Sequence, residues 1–143
     1  LIDRPAIDRF RQVIANLQDR FGSLAPRIHV ENTGYDLTAM AAVLAESRLG
    51  VCMDVGHLIM MGLSIEHFID TYGERIGTVH LHGVEQGVDH RALTFLNEFQ
   101  RRSVVGFLKT FRGLAVIEVF EAAALIPSMR WLTKHVAESS AQH

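Results

Sequence analysis

The sequence predicts an α/β fold in which parallel strands are joined by helical crossovers. Two observations carry that prediction. Short apolar runs alternate with longer stretches of helical periodicity, four times over. The short runs also end alike, on Glu31, Asp54, His80 and Glu118. Strands separated by a helix pair in parallel, because a parallel connection must cross the sheet. The 143 residues are one domain's worth of chain, and 48% hydrophobic content can build a core.

The first element is an amphipathic helix from Pro5 to Phe21. Ile7, Phe10, Val13, Ile14 and Leu17 fall at helical spacing, and Pro5 suits a first turn. Arg27 to Glu31 reads as a strand, with Asn32-Thr33-Gly34 as its turn. Leu37 to Arg48 is again helical, closed by Gly50. Val51 to Asp54 is the second strand, and Val55-Gly56-His57 a tight turn. Ile65 to Tyr72 is a short helix stopped by Gly73, and Ile76 to Leu81 the third strand. Gly83 to Arg91 reads as a polar loop, followed by one or two helical pieces between Ala92 and Phe111. Leu114 to Phe120 is the fourth strand, and a last helix runs from Ala122 to about Val136. The tail, residues 138–143, is expected to be flexible.

Four βα units are half of a closed eight-fold barrel, which takes roughly 250 residues. The chain opens on a helix without a Met, so it is expected to be a piece of a longer protein. The competing architecture, a small open doubly wound sheet, lacks a glycine-rich nucleotide fingerprint here. A four-stranded half-barrel leaves two strand edges open, so pairing with a second copy or with the missing half is expected.

Composition narrows the function classes. A net charge of −2 argues against a broad nucleic-acid surface. The single cysteine, Cys52, excludes an internal disulfide and a thiolate zinc cluster. Apolar stretches are interrupted by Asp54, His57, Glu118 and Glu121, short of the ~20 residues of a membrane span. A cytoplasmic protein is the expectation.

The chemistry is expected at the strand ends. Alternation puts His29 with Glu31, Cys52 with Asp54, Thr78 with His80 and His82, and Val116 with Glu118 on one phase of each strand. Barrel active sites lie at that end. Each residue alone has a plainer role available. Glu31 could cap a helix, Asp54 could hold the next turn, His80 could be a satisfied core histidine, and Glu118 could pair with Arg112 or Arg130. Four such groups in register are explained most cheaply by a shared cation, because lone carboxylates are costly to bury. Mixed carboxylate and imidazole donors without thiolate suit zinc, manganese or iron. His57 can face the same cavity, and Asp89-His90 forms a second close pair. His82, two past His80, reads as a substrate-binding group or a support for a ligand.

Val30-Glu31-Asn32-Thr33, Met53-Asp54-Val55-Gly56-His57, Val79-His80-Leu81-His82, Asp89-His90 and Val116-Ile117-Glu118-Val119-Phe120 together resemble the xylose isomerase-like superfamily, also called AP endonuclease family 2. That superfamily includes endonuclease IV and sugar-phosphate isomerases and epimerases. The likeness covers nearly the whole chain and implies the C-terminal half of a (β/α)8 TIM barrel. Gly50 to Leu58, His80 to Val84 and Gly87 to His90 further resemble a branch that cleaves the phosphodiester in cobamide nucleotide loops. The resemblance implies metal ligands at Glu31, Asp54, His57, His80, His90 and Glu118, with Asp89 a further candidate. Two departures stand out. Asp89 and His90 are adjacent, whereas the endonuclease pattern spaces its Asp and His by one residue. The family's remaining histidine ligands come from the half of the barrel that this chain lacks.

Three functions stay open at this point. One is a divalent-metal-dependent phosphodiester hydrolase, inactive as a fragment alone. Another is a sugar-phosphate isomerase or epimerase, with Glu31 and Glu118 as acid and base. Family epimerases carry an arginine where Gln86 stands, which weakens that reading. The last is a non-catalytic half-barrel that binds a small molecule or a partner half.

Overall fold

The computed structural model describes residues 3–137. The expected flexible tail lies outside the described residues. The fold is α/β. Its strands β1 (His29–Glu31), β2 (Gly50–Asp54), β3 (Ile76–Leu81) and β6 (Leu114–Ile117) form a parallel sheet in the order β1-β2-β3-β6. Strands β4 (Gly83–Glu85) and β5 (Val88–Arg91) form a separate antiparallel hairpin. The helices are α1 (Arg4–Phe21), α2 (Ala41–Ala45), α3 (Val55–Met60), α4 (Ile65–Tyr72), α5 (Glu98–Thr110) and α6 (Ala122–Leu132).

Local chemistry sets the element boundaries. Asp3 caps α1 by accepting the Ala6 N–H at 2.8 Å, and Pro5 occupies the first turn, where no amide is needed. Ile7, Phe10, Ile14 and Leu17 turn inward, whereas Val13 is 54% exposed and lies outside the apolar stripe. The single helix expected over Leu37–Arg48 is instead a 3₁₀ turn (Leu37–Met40) running into the short α2. Asp36 tightens the start by accepting from Thr38 N–H at 3.0 Å, and Ser47 Oγ donates to Leu44 O at 2.8 Å, where α2 ends. Gly50 belongs to β2 rather than closing a helix. A Cβ there would sit 2.3 Å from the His29 ring.

Val51, Met53, Val79 and Leu81 point into the helix layer and are fully buried with Leu44, Leu58, Phe68 and Val104. Burying each such side chain is worth roughly 1.5–3 kcal/mol. This apolar phase leaves the opposite phase of β2 and β3 to carry Asp54 and His80, which are register partners. Beyond the end of β6 the Glu118 N–H still donates to Leu81 O at 3.0 Å, so the ladder carries Glu118 to the level of the other strand ends.

Three further expectations are corrected. Val55-Gly56-His57 is not a turn but the first turn of α3, entered directly from β2 because Asp54 caps it. The polar loop over Gly83–Arg91 is a hairpin. Its two-residue connection puts Gln86 (φ 51°) and Gly87 (φ 79°) in the left-handed region, the geometry that matches strand twist. Gln in the first of those positions hides the signal, which Asn or Asp would have announced. The fourth strand stops at Ile117, and Phe120 lies 77% exposed beyond it. Among the described residues, β1 and β6 are the outer strands of the sheet, and Leu114 on β6 is 62% exposed. No described helix is long and apolar enough to cross a membrane.

Candidate metal centre

Glu31, Asp54, His80 and Glu118 converge at the ends of four adjacent strands. Each offers one donor atom, and these atoms lie within 4.8 Å of one another. His80 Nδ1 is the hub. It lies 2.9 Å from Glu118 Oε2, 3.5 Å from Glu31 Oε1 and 3.7 Å from Asp54 Oδ2. These are close approaches without hydrogen-bond alignment. Asp54 Oδ2, His80 Nδ1 and Glu118 Oε2 are all buried with no hydrogen-bond partner. Buried polar atoms are normally paired. Three orphaned atoms facing one point, within a cluster of three carboxylates, fit a cation and are hard to explain without one.

Asp54 is fully buried, and its two oxygens do different jobs. Oδ1 accepts the His57 N–H at 2.7 Å, capping α3, and lies 2.9 Å from His82 Nε2. Oδ2 is left for the cluster. Burial works against ionising this carboxyl, but His82 and the His57 N–H outweigh it and hold it below the usual carboxylate range.

His57 extends the site. Its Nδ1 donates to Asn32 O at 3.1 Å, which leaves the Nε2 lone pair facing Asp89 Oδ2 at 4.0 Å. His90 Nδ1 lies 3.1 Å from Asp89 Oδ1, and His90 Nε2 lies 3.9 Å from Glu118 Oε1. The His90 imidazole holds the partly buried Asp89 carboxyl below its usual range. Glu118 therefore has one oxygen toward the strand-end cluster and the other toward the hairpin. The hairpin places Asp89 and His90, although adjacent in sequence, on the same side of the site as His57.

His82 departs from the expectation of substrate contact. It is fully buried beneath the site and has no surface to offer a substrate. His29 is also structural, hydrogen-bonded to Thr78 Oγ1 at 2.6 Å between Gly50 and Gly77. Cys52 reaches within the same distance of Glu31 and His80, but burial and then the neighbouring carboxylates push its thiol up to about 12. With no cation beside it, the thiol stays protonated. Native protein is expected to react negligibly with Ellman's reagent and to react fully once unfolded in urea. Rapid native labelling would show that the floor of the site is open.

Asn32 is a residue the strand-end pattern did not single out. It is fully buried, donates Nδ2 to Asp54 O at 2.9 Å and accepts the Asp54 N–H on Oδ1 at 2.7 Å. Its place in Glu31-Asn32-Thr33 was the available signal, but an Asn after a strand reads first as a turn residue.

A parallel βα sheet with carboxylate and imidazole donors gathered at its strand ends defines a barrel-type α/β protein with a candidate metal centre. A family model described as xylose isomerase-like TIM barrel matches residues 3–135, and the chain belongs to that family. Among solved structures it resembles endonuclease IV from Thermus thermophilus, with a TM-score of 0.63 at 21% identity. That match covers 90% of this chain but 58% of the endonuclease chain, so the sequence spans well under two thirds of that protein's length. No curated protein matches.

Proposed function

We propose that this chain carries the divalent-metal site of a phosphodiester hydrolase of the AP endonuclease family 2 type. The observation that carries this reading is the extent of the donor set. Glu31, Asp54, His80 and Glu118 already suffice for one ion, yet His57, Asp89 and His90 continue it, with Glu118 shared between the two groups. Such a surplus suits a site for more than one cation, zinc, manganese or iron by donor type. When bound there, divalent ions supply a water made nucleophilic near neutral pH and counter-charge for phosphate oxygens. The residues themselves hold and orient. Asp54 and Glu31 present their oxygens from rigid strand ends, the Asn32 carbonyl fixes the tautomer of His57, and Glu118 joins the two donor groups. Net charge −2 favours a small-molecule phosphodiester over a nucleic acid. The motif likeness in β2, α3 and the hairpin supports a cobamide nucleotide loop as that substrate. The isomerase reading rests on Glu31 and Glu118 flanking His80, and gives no task to Asp89 or His90. The open edges at β1 and β6 call for further strands, from the rest of a barrel or a second copy.

Calorimetric titration of the intact protein with Mn²⁺ and Zn²⁺ tests the site, and more than one ion per chain is expected. Assays on cobamides, an abasic-site duplex and ketose phosphates then test the chemistry. Phosphodiester cleavage supports the reading, and ketose isomerisation without it overturns the reading.

A further inference from the structure

We infer that His82 is a positioning residue that locks the buried carboxylate of Asp54 to the β4–β5 hairpin, so that the two donor groups are set by one imidazole. The inference rests on the metal-dependent reading above. Its basis is the placement of the two His82 ring nitrogens, one against the hairpin backbone and the other against Asp54. Nδ1 accepts the His90 backbone N–H at 2.9 Å. A backbone amide can only donate, so the ring proton resides on Nε2, which faces Asp54 Oδ1 at 2.9 Å as an ion-pair approach short of hydrogen-bond alignment. No lone pair is left for a cation, which separates His82 from His57 and His90 despite its place beside them.

Ring packing adds to this. The His82 ring stacks on His90 with centroids 4.1 Å apart and planes 7° apart, and His90 in turn stacks on Phe120 at 3.9 Å. His90 holds φ 54°, a left-handed conformation that a residue with a Cβ adopts at a cost of about 1 kcal/mol. The His82 acceptor and the ring stack hold it there. Gly56 also lies against the ring, where a Cβ would fall 1.9 Å from His82 Cε1. Residue 56 is thus a glycine because the α3 backbone passes directly against this ring. Asp54 Oδ1 in turn accepts the His57 N–H and has His82 Nε2 beside it, which leaves Oδ2 as the oxygen that faces the cluster.

The test uses the intact protein and reads Mn²⁺ affinity by calorimetry, together with the visible spectrum of the Co²⁺-loaded form. His82→Leu is expected to weaken Mn²⁺ binding about 10- to 100-fold, the range for losing a partner of a metal ligand, and to shift the Co²⁺ spectrum. His82→Gln returns an N–H near the Nε2 position and should recover more of the affinity than His82→Leu. Gly56→Ala keeps every donor but displaces the ring, and should weaken binding as well. If His82→Leu does not fold by far-UV circular dichroism, the Gln and Gly56→Ala variants decide. Folded variants that bind Mn²⁺ as tightly as the wild type, with an unchanged Co²⁺ spectrum, overturn the positioning role alone. A wild-type protein that binds no divalent ion overturns both this role and the functional reading beneath it.

Discussion

Glu118→Gln in the intact protein is expected to leave the fold unchanged and to remove most turnover. The substitution conserves volume and takes away only the charge. Glu118 stands beyond the end of β6 with its N–H on Leu81 O, so the backbone that presents it does not depend on the carboxylate. Its Oε2 faces His80 and its Oε1 faces His90, so one substitution strikes both donor groups. A loss of about 10²- to 10⁴-fold is the scale for removing a group that holds or moves charge in the reaction. The companion variant separates the readings. His90→Ala, assayed at saturating metal, should cost at least the ~100-fold that losing a partner of a metal ligand costs. Because residue 90 holds φ 54°, His90→Asn serves as the control for backbone strain, since Asn tolerates that conformation. Phosphodiesterase activity unchanged in both His90 variants would sink the multi-ion site and leave a single-ion isomerase-type centre as the better account.

The strand-end residues were legible because a strand's period of two assigns a face, and parallel register then brings equivalent positions to one level. Asp54 and His80 are direct register partners, as that logic requires. Depth was not legible. The same alternation puts His80 and His82 on one phase, yet the chain turns into the hairpin after Leu81, and His82 is swallowed beneath it while His80 keeps access. The start of α3 was missed because Gly56 looks like a turn former. Its real constraint, the His82 ring pressed against its Cα, comes from a residue far along the chain and leaves no local trace. Asp89 and His90 looked mis-spaced as joint donors. The tight turn at Gln86-Gly87 and the left-handed backbone at His90 bring them together in a way that a spacing rule cannot anticipate.

Asn32→Ala is expected to destabilise the fold by about 2–6 kcal/mol and to weaken cation binding as a consequence, since it strips partners from two buried backbone groups. The register of β1 with β2 ends at Glu31 opposite Cys52, so no β1 backbone remains to pair with Asp54. The Asn32 amide takes that place, giving a donor to Asp54 O and an acceptor to Asp54 N–H as another peptide unit would. Alanine leaves both backbone groups buried and unpaired, at about 1–3 kcal/mol each. The Asn32 carbonyl that holds His57 Nδ1 belongs to the backbone and survives the substitution, so the effect is confined to Asp54. Asn32→Asp supplies the acceptor for the N–H but sets an oxygen against Asp54 O, and should rescue little. Urea unfolding of the apo protein measures the first effect, and Mn²⁺ titration the second. A loss of stability with cation affinity intact would mean that Asp54 is aimed by its cap on α3 and by His82, with Asn32 merely closing the sheet.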